Sequence, residues 1–414
     1  MHTLDCDEHR YSLGLFDSHL SSENKITNTA VNTIMRAPGD FQGALFTEAC
    51  VECAARISGL DTIKVQEANL DKNVLPCWNE VKTSSNVEQK QKDVDAFNAS
   101  NRWRKRGLYM CGVKYLAYTV IYTEKVMLSC HSDGSVSVNS SGIEMGQGIN
   151  TKVVQAVSYG LGKMFDSPLS FDSISVARTK STSSFEGVSP TWGSGTSESC
   201  VEACLKACED MVSKLEPYKS KGTNFQQVVA AASAAGVDLN STGTHHLYNG
   251  GTYEVYGACC SVVELDVLTG ECQILSTDIV YDCGSSLNVY IDVGQVQGCF
   301  VQGAGFCLLE NVARGKDNRV LANGTWEYKV PQGLDIPIDF NVSLLKGSKN
   351  NAIHNVLGSK ESGEPAYLLG ICPFFALKQA VYAARQDVGN KDYFRMDCPA
   401  SPSQVQKACL VSLF

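Results

Sequence analysis

The sequence predicts an α+β protein built in layers, and three observations carry that prediction. Strand-type alternation comes in hairpin pairs, residues 126–131 with 136–139 and residues 253–266 with 272–281. Helical periodicity fills long stretches between those pairs instead of following every strand. No unit of fixed length repeats along the chain. Strands paired through tight turns and set apart by helices fit antiparallel layers better than a doubly wound parallel sheet. The 414 residues suffice for two or three domains of about 100–200 residues each.

Taken in order, residues 45–57 place Phe46, Ala49, Cys50, Cys53 and Ile57 on one helical face, with Gly59 just past the end. Residues 72–85 are polar, carry Pro76 and a Ser84-Ser85 pair, and read as a linker or surface loop. Residues 86–106 predict a helix with a sparse stripe of Val87, Val94, Phe97 and Trp103. Arg102, Arg104, Lys105 and Arg106 close it before Gly107, where cations complement the helix dipole. A phosphate-binding patch is the sharper alternative for the same four cations. Strands follow at 115–122, 126–131 and 136–139, the last two around Asp133-Gly134, and again at 169–176. The second hairpin turns through Leu268-Thr269-Gly270-Glu271. Helices are predicted over 151–161, 199–215, 224–235, 293–309 and 366–386.

Composition narrows the function. The formal charge is −9, from 35 basic and 44 acidic residues, which does not favour nucleic acid as a partner. The opening Met1-His2-Thr3-Leu4-Asp5-Cys6-Asp7 is acidic and unlike a signal peptide, so the expectation is a cytoplasmic protein. The apolar stretch 368–384 contains Pro373 and Lys378 and reads as a buried helix, with no membrane partner. Eighteen cysteines suggest metal chemistry. However, Cys200, Cys204 and Cys208 share a helical face with Val201, Leu205 and Val212, where cysteine serves as a small hydrophobe. Cys50-Val51-Glu52-Cys53 has no second CxxC, and His131, His245, His246 and His354 have no ligand spacing.

Four segments remain that packing does not explain. In Ile143-Glu144-Met145-Gly146-Gln147-Gly148, glycines flank a glutamine, so a ligand can approach the backbone while the amide both donates and accepts. Residues 191–199 carry Gly193, Ser194, Gly195 and Thr196 into a helix, with capping-box spacing between Ser199 and Glu202. Residues 294–303 run Gly294-Gln295-Val296-Gln297-Gly298 to Gln302-Gly303, where helix packing and ligand binding compete as explanations. In residues 358–365, Glu364 precedes Pro365 at the mouth of an apolar helix, where desolvation favours a carboxylate that accepts protons.

In this order the segments resemble the molybdenum hydroxylases, the aldehyde oxidase and xanthine dehydrogenase family. Glu144–Gly148 looks like a molybdopterin-binding segment. Residues 278–288 with Phe300-Val301-Gln302-Gly303 look like another. Residues 359–365 are similar to the catalytic loop, 32–39 to the arginine loop and 397–402 to the C-terminal end. Insect-type aldehyde oxidases are the nearest group by this resemblance. It implies a layered molybdopterin-binding α+β fold, with residues 1–71 ending a first molybdopterin domain, 72–85 a linker and 86–414 the second domain.

The resemblance also implies roles. Glu364 is the general base in a hydroxylation of aldehydes to carboxylic acids that takes its oxygen from water. Arg36, Tyr118 and Thr119 contact substrate. Met145, Gly146, Gln147, Gly193, Ser194, Thr196 and Gln302 hold the molybdenum–molybdopterin cofactor. The metal takes no direct protein ligand, and Arg36, Gly193, Gln147 and Gln302 lie in its vicinity. FAD and 2Fe–2S clusters are expected only in N-terminal domains that this sequence lacks, so it reads as a fragment of a longer, homodimeric enzyme. Pro38 stands where xanthine-type enzymes carry an aromatic residue, which favours an aldehyde over an N-heterocycle as substrate. The alternative is a truncated, non-catalytic remnant that binds a partner.

Overall fold

The computed structural model describes residues 35–118, 123–177, 191, 193–245, 252–348, 350, 357–358 and 362–411. In chain order its helices and strands are α1 (Asp40–Ser58), α2 (Thr62–Asn69), α3 (Leu75–Ser84), α4 (Val87–Ser100), β1 (Arg104–Tyr118), β2 (Glu124–Cys130), β3 (Val136–Ser140), α5 (Ile149–Gly162), β4 (Ile174–Val176) and α6 (Thr196–Leu215). There follow α7 (Phe225–Ala234), β5 (Asn240–His245), β6 (Thr252–Asp266), β7 (Cys272–Asp282), α8 (Val289–Leu308), β8 (Asp339–Leu344), α9 (Cys372–Gln386) and α10 (Pro402–Ala408). A 3-10 turn at Pro365–Ile371 feeds α9.

The strands form two four-stranded sheets, ordered β1-β6-β7-β8 and β4-β3-β2-β5. Both predicted hairpins are present, and each turn contains a glycine with positive φ, Gly134 and Gly270. Parallel pairing occurs at one edge of each sheet, β7 with β8 and β3 with β4. The layered α+β expectation therefore holds.

Strand alternation gives the first sheet two apolar faces. Cys111, Val113 and Cys259 join α8 and α9 in the main core, where Phe300, Phe375, Leu377 and Val381 are fully buried. Each such side chain contributes about 1.5–3 kcal/mol relative to exposure. On the opposite face Met110, Ala258 and Cys260 pack against Trp78, Val81 and Val94 of α3 and α4. The second sheet is covered on one side by α5, α6 and α7, with Val126 and Leu128 facing Val153, Cys204 and Val228. The turn Pro365–Ile371 and α9 together make one stretch long and apolar enough to cross a membrane, yet 89% of its apolar window is buried inside the protein.

Several sequence expectations need correction. The α1 face carrying Phe46 and Ile57 points outward, with these side chains 59% and 74% exposed. The buried face carries Phe41, Ala44 and Val51 together with Glu48 and Glu52. Those acids are tolerated because Glu52 meets Lys378 at 2.6 Å and Glu48 accepts from Tyr109 and Gln66. The polar stretch 72–85 is not a surface loop, since α3 starts within it and buries Cys77, Trp78 and Val81. The helix at 86–106 stops at Ser100, and Arg104, Lys105 and Arg106 open β1. There Arg104 and Arg106 pair with Glu264, and Lys105 pairs with Asp387, so the cations neither end a helix nor form a free phosphate patch. Gly107 is a packing glycine, because a Cβ there would lie 2.0 Å from the Ala376 carbonyl. The strand expected over 169–176 is only Ile174–Val176. The Ser199–Glu202 capping box does not form either. The helix starts earlier, Ser199 bonds back to Gly195, and Glu202 turns to His245 and Lys206.

Among the described residues no group of three or more His, Cys, Asp or Glu is placed to hold a metal ion. The described cysteines are free, and most are buried, as their helical and strand positions imply.

Candidate active site

Four segments from distant parts of the chain converge at the N-terminal halves of α1 and α8. The first is the arginine loop. Ala37 is wholly buried with φ of 48°, a conformation that strains a residue with a Cβ. The twist sends neighbouring groups to different partners. The Ala37 N–H donates to Glu364 Oε1 at 3.2 Å, while the Arg36 guanidinium reaches α8. There Nη1 donates to Cys299 Sγ, and Nη2 to Gln295 Oε1 at 3.4 Å.

The second segment carries Glu364. Pro365 begins the 3-10 turn, as its missing N–H allows, and Glu364 is the residue before it. The Glu364 carboxylate does not cap that turn. Oε1 takes the Ala37 amide, and Oε2 takes the Tyr115 phenol of β1 at 3.3 Å. The Cys299 thiol donates to the Gly363 carbonyl, so the same side chain that meets Arg36 also holds the Glu364 loop. A second acid stands beside Glu364. Burial, and next the negative charge of Glu364, push the Asp40 carboxyl up to about 6.

The third segment is the glycine-glutamine loop. Its positive-φ residues are Gly146 and Gly148, and Gly148 ends against Ile291 of α8. Glu144 holds the loop from within, accepting from the N–H groups of Gly146 and Gly148 at 2.9 Å each and from Asn150 at 3.0 Å. Gln147 also turns inward, accepting from Met145 N and donating to the Ile143 carbonyl at 2.8 Å. The loop's link across the site is the Gly146 carbonyl, which accepts from Gln295 Nε2 at 3.3 Å. The fourth segment brings Gly193 and Ser194, both with positive φ, beside the Glu364 loop. A Cβ on Gly363 would lie 3.1 Å from Ser194 Oγ. Thr196 is buried against Gly142, and the Thr191 hydroxyl accepts from Ile143 N at 2.9 Å.

The structure thus brings together Arg36, Glu364, Gly146 and Ser194, with Gly193 adjoining. Met145 is 68% exposed beside them. Gln302 lies on the same face of α8 as Gln295, seven residues or roughly 10 Å along the axis. Its Oε1 is buried without a hydrogen-bond partner among the described residues. The backbone of Tyr118 pairs with Thr252, whereas its side chain and all of Thr119 lie outside the described residues. Sequence reasoning missed Gln295, Cys299, Tyr115 and Asp40 as site residues. Gln295 did stand in a flagged segment. Tyr115 shares its strand face with Val113 and Ala117, and a half-buried tyrosine on a core-facing strand usually places its hydroxyl on a partner.

The site leaves room for a ligand. Gly146, Gly294 and Gly298 have no atom within 4 Å of where a Cβ would stand. By contrast, Gly303 packs tightly against the Tyr367 carbonyl and Gly370. Open glycines, positive-φ turns and a buried unpartnered Gln302 oxygen fit a polar cofactor better than a close helix contact. A separate cavity of about 20 Å³, lined by Glu48, Gln66, Asp71 and Lys114 among others, shares no residue with this site.

Two neighbouring carboxyls, Glu364 and Asp40, the Arg36 loop and open glycines together define the class of protein as one with a polar ligand pocket. A family profile described as the molybdopterin cofactor-binding domain matches residues 80–337. Probable aldehyde oxidase 2 of Oryza sativa subsp. japonica is 37% identical across 92% of this chain and 30% of its own length. Xanthine dehydrogenase 1 of Arabidopsis thaliana is 36% identical across 92% of this chain and 30% of its own. The solved structure of quinoline 2-oxidoreductase from Pseudomonas putida 86 superposes with a TM-score of 0.72 over 89% of this chain and 52% of that one, at 18% identity. That last likeness concerns the fold alone. The chain belongs to the molybdenum hydroxylase family of aldehyde oxidases and xanthine dehydrogenases. It spans about 30% of the length of the curated relatives it matches.

Proposed function

We propose that this chain is the molybdopterin-binding, substrate-oxidising part of an aldehyde oxidase within a longer enzyme. The reaction converts an aldehyde and water to a carboxylic acid, releasing two electrons and two protons. The observation that carries this reading is the Glu364 carboxylate, fixed by Ala37 and Tyr115 and set across the Cys299 contact from Arg36.

Bound molybdopterin supplies the two-electron redox centre. The residues here supply the rest. The amide of Gln295 and the loops at Gly146 and Gly193–Thr196 would hold the cofactor, with Gln302 offering its buried oxygen. Glu364 would take a proton from the water-derived nucleophile. Arg36 would face the substrate oxygen, where its fixed positive charge favours developing negative charge. The open faces of Gly294 and Gly298 leave a path for a flat substrate or cofactor edge. Electrons would leave through FAD and 2Fe–2S domains carried by the longer protein. Residues 1–71 would close a first molybdopterin domain and 86–414 would form the second, in a cytoplasmic homodimer. Aldehyde is favoured over N-heterocycle by Pro38 at the arginine loop.

The test is expression of the chain with molybdenum and cofactor supply, followed by assay of bound metal and pterin. Stoichiometric cofactor supports the reading. A folded chain without any favours the remnant that only binds a partner. In the longer enzyme, Glu364→Gln is expected to keep its cofactor and lose at least about a hundredfold in turnover. Near-normal turnover would end the general-base role.

A further inference from the structure

The site holds a group that no motif assigned. Tyr115 projects from the main-core face of β1 and sets its phenol 3.3 Å from Glu364 Oε2, on the oxygen that the Ala37 amide does not take. We propose that Tyr115 is a positioning residue that keeps the Glu364 carboxylate aimed for proton acceptance. This rests on the reading of Glu364 as general base.

The argument is geometric. With one donor on each oxygen, the carboxyl plane cannot rotate without breaking a hydrogen bond. The Ala37 donor is backbone and is fixed by the fold. Tyr115 is the side chain whose removal frees rotation. The loop itself is held separately, by the Cys299 thiol of α8 on the Gly363 carbonyl, so loss of the phenol frees the carboxylate without releasing the loop.

The first test uses the 414-residue chain with ring-labelled tyrosine (¹³Cζ). The Tyr115 resonance is identified by its loss in Tyr115→Phe. It is expected to shift in Glu364→Gln, because the acceptor changes from carboxylate to amide. An unmoved resonance would overturn the contact. The second test uses the longer holoenzyme. Tyr115→Phe is expected to retain molybdenum and to lose about tenfold in kcat with KM little changed. A kcat equal to the wild type would overturn the proposal, and so would a loss that tracks molybdenum content alone. Failure of the base reading appears separately, as normal turnover in Glu364→Gln. The labelled-tyrosine result does not depend on it.

Discussion

Lys152 and Asp292 form an ion pair at 3.5 Å whose side chains are 3% and 2% exposed. The pair joins α5, which follows the glycine-glutamine loop, to α8, which carries Gln295. Asp292 also accepts from Ser286 and from Ser362, the latter two residues before Glu364. One carboxylate therefore ties the two sheets' helices to the Glu364 loop. Burying such a pair is costly, and removing one partner leaves the other charged and desolvated. Asp292→Ala is expected to lose about 3–5 kcal/mol of stability in urea unfolding. A double replacement, Lys152→Met with Asp292→Leu, should recover much of that. A loss under about 1 kcal/mol for the single variant would mean that water already reaches the pair.

The glycines of α8 divide into two kinds, and substitution separates them. A Cβ on Gly303 would meet the Tyr367 carbonyl at 2.3 Å and Gly370 Cα at 3.0 Å, both backbone. Gly303→Ala should therefore cost about 1–3 kcal/mol or more. A Cβ on Gly298 meets nothing within 4 Å. Gly298→Ala should fold, gain up to about 1 kcal/mol from helix propensity, and hold less molybdopterin. Thermal unfolding and cofactor content, measured on both variants, check this. Undiminished cofactor in Gly298→Ala would remove that face of the helix from the cofactor site.

Much of the architecture was legible because it rests on local signals. Gly134 and Gly270 mark real hairpins, Gly59 ends α1 with φ of 68°, and the α6 face of Val201, Cys204 and Cys208 is core. What failed depends on partners distant in sequence. Glu48 and Glu52 look solvent-facing until Tyr109 and Lys378 arrive from elements 61 and 326 residues away. Arg104 and Arg106 look like a helix end until Glu264 pairs with them across β6. In the site, Glu364 drew attention by its place before Pro365 and Arg36 only through the resemblance, and the structure brings their two loops together. Gln302 was favoured over Gln295 because the resemblance rests on Phe300–Gly303, and helical periodicity, which puts both glutamines on one face, cannot say which turn faces the other segments. Tyr115 carried no motif at all, and its contact with Glu364 follows from where β1 passes the Glu364 loop.

Asp40 gives the pH dependence a definite sign. Its ordinary value is 3.8, and burial together with the Glu364 charge pushes it up to about 6. The native state therefore binds this proton more tightly than the unfolded chain does. The resulting stabilisation is complete below about pH 4 and is lost as pH rises through about 6. A displacement of this size corresponds to about 3 kcal/mol across the window. Asp40→Asn cannot ionise and should escape the loss. It is expected to match the wild type in urea unfolding near pH 4 and to exceed it by up to about 3 kcal/mol at pH 7.5 or so. Glu364→Gln removes the second cause and should give part of the same gain with Asp40 still in place. If Asp40→Asn and wild type keep a constant difference from pH 4 to 8 or so, Asp40 is not the group that titrates.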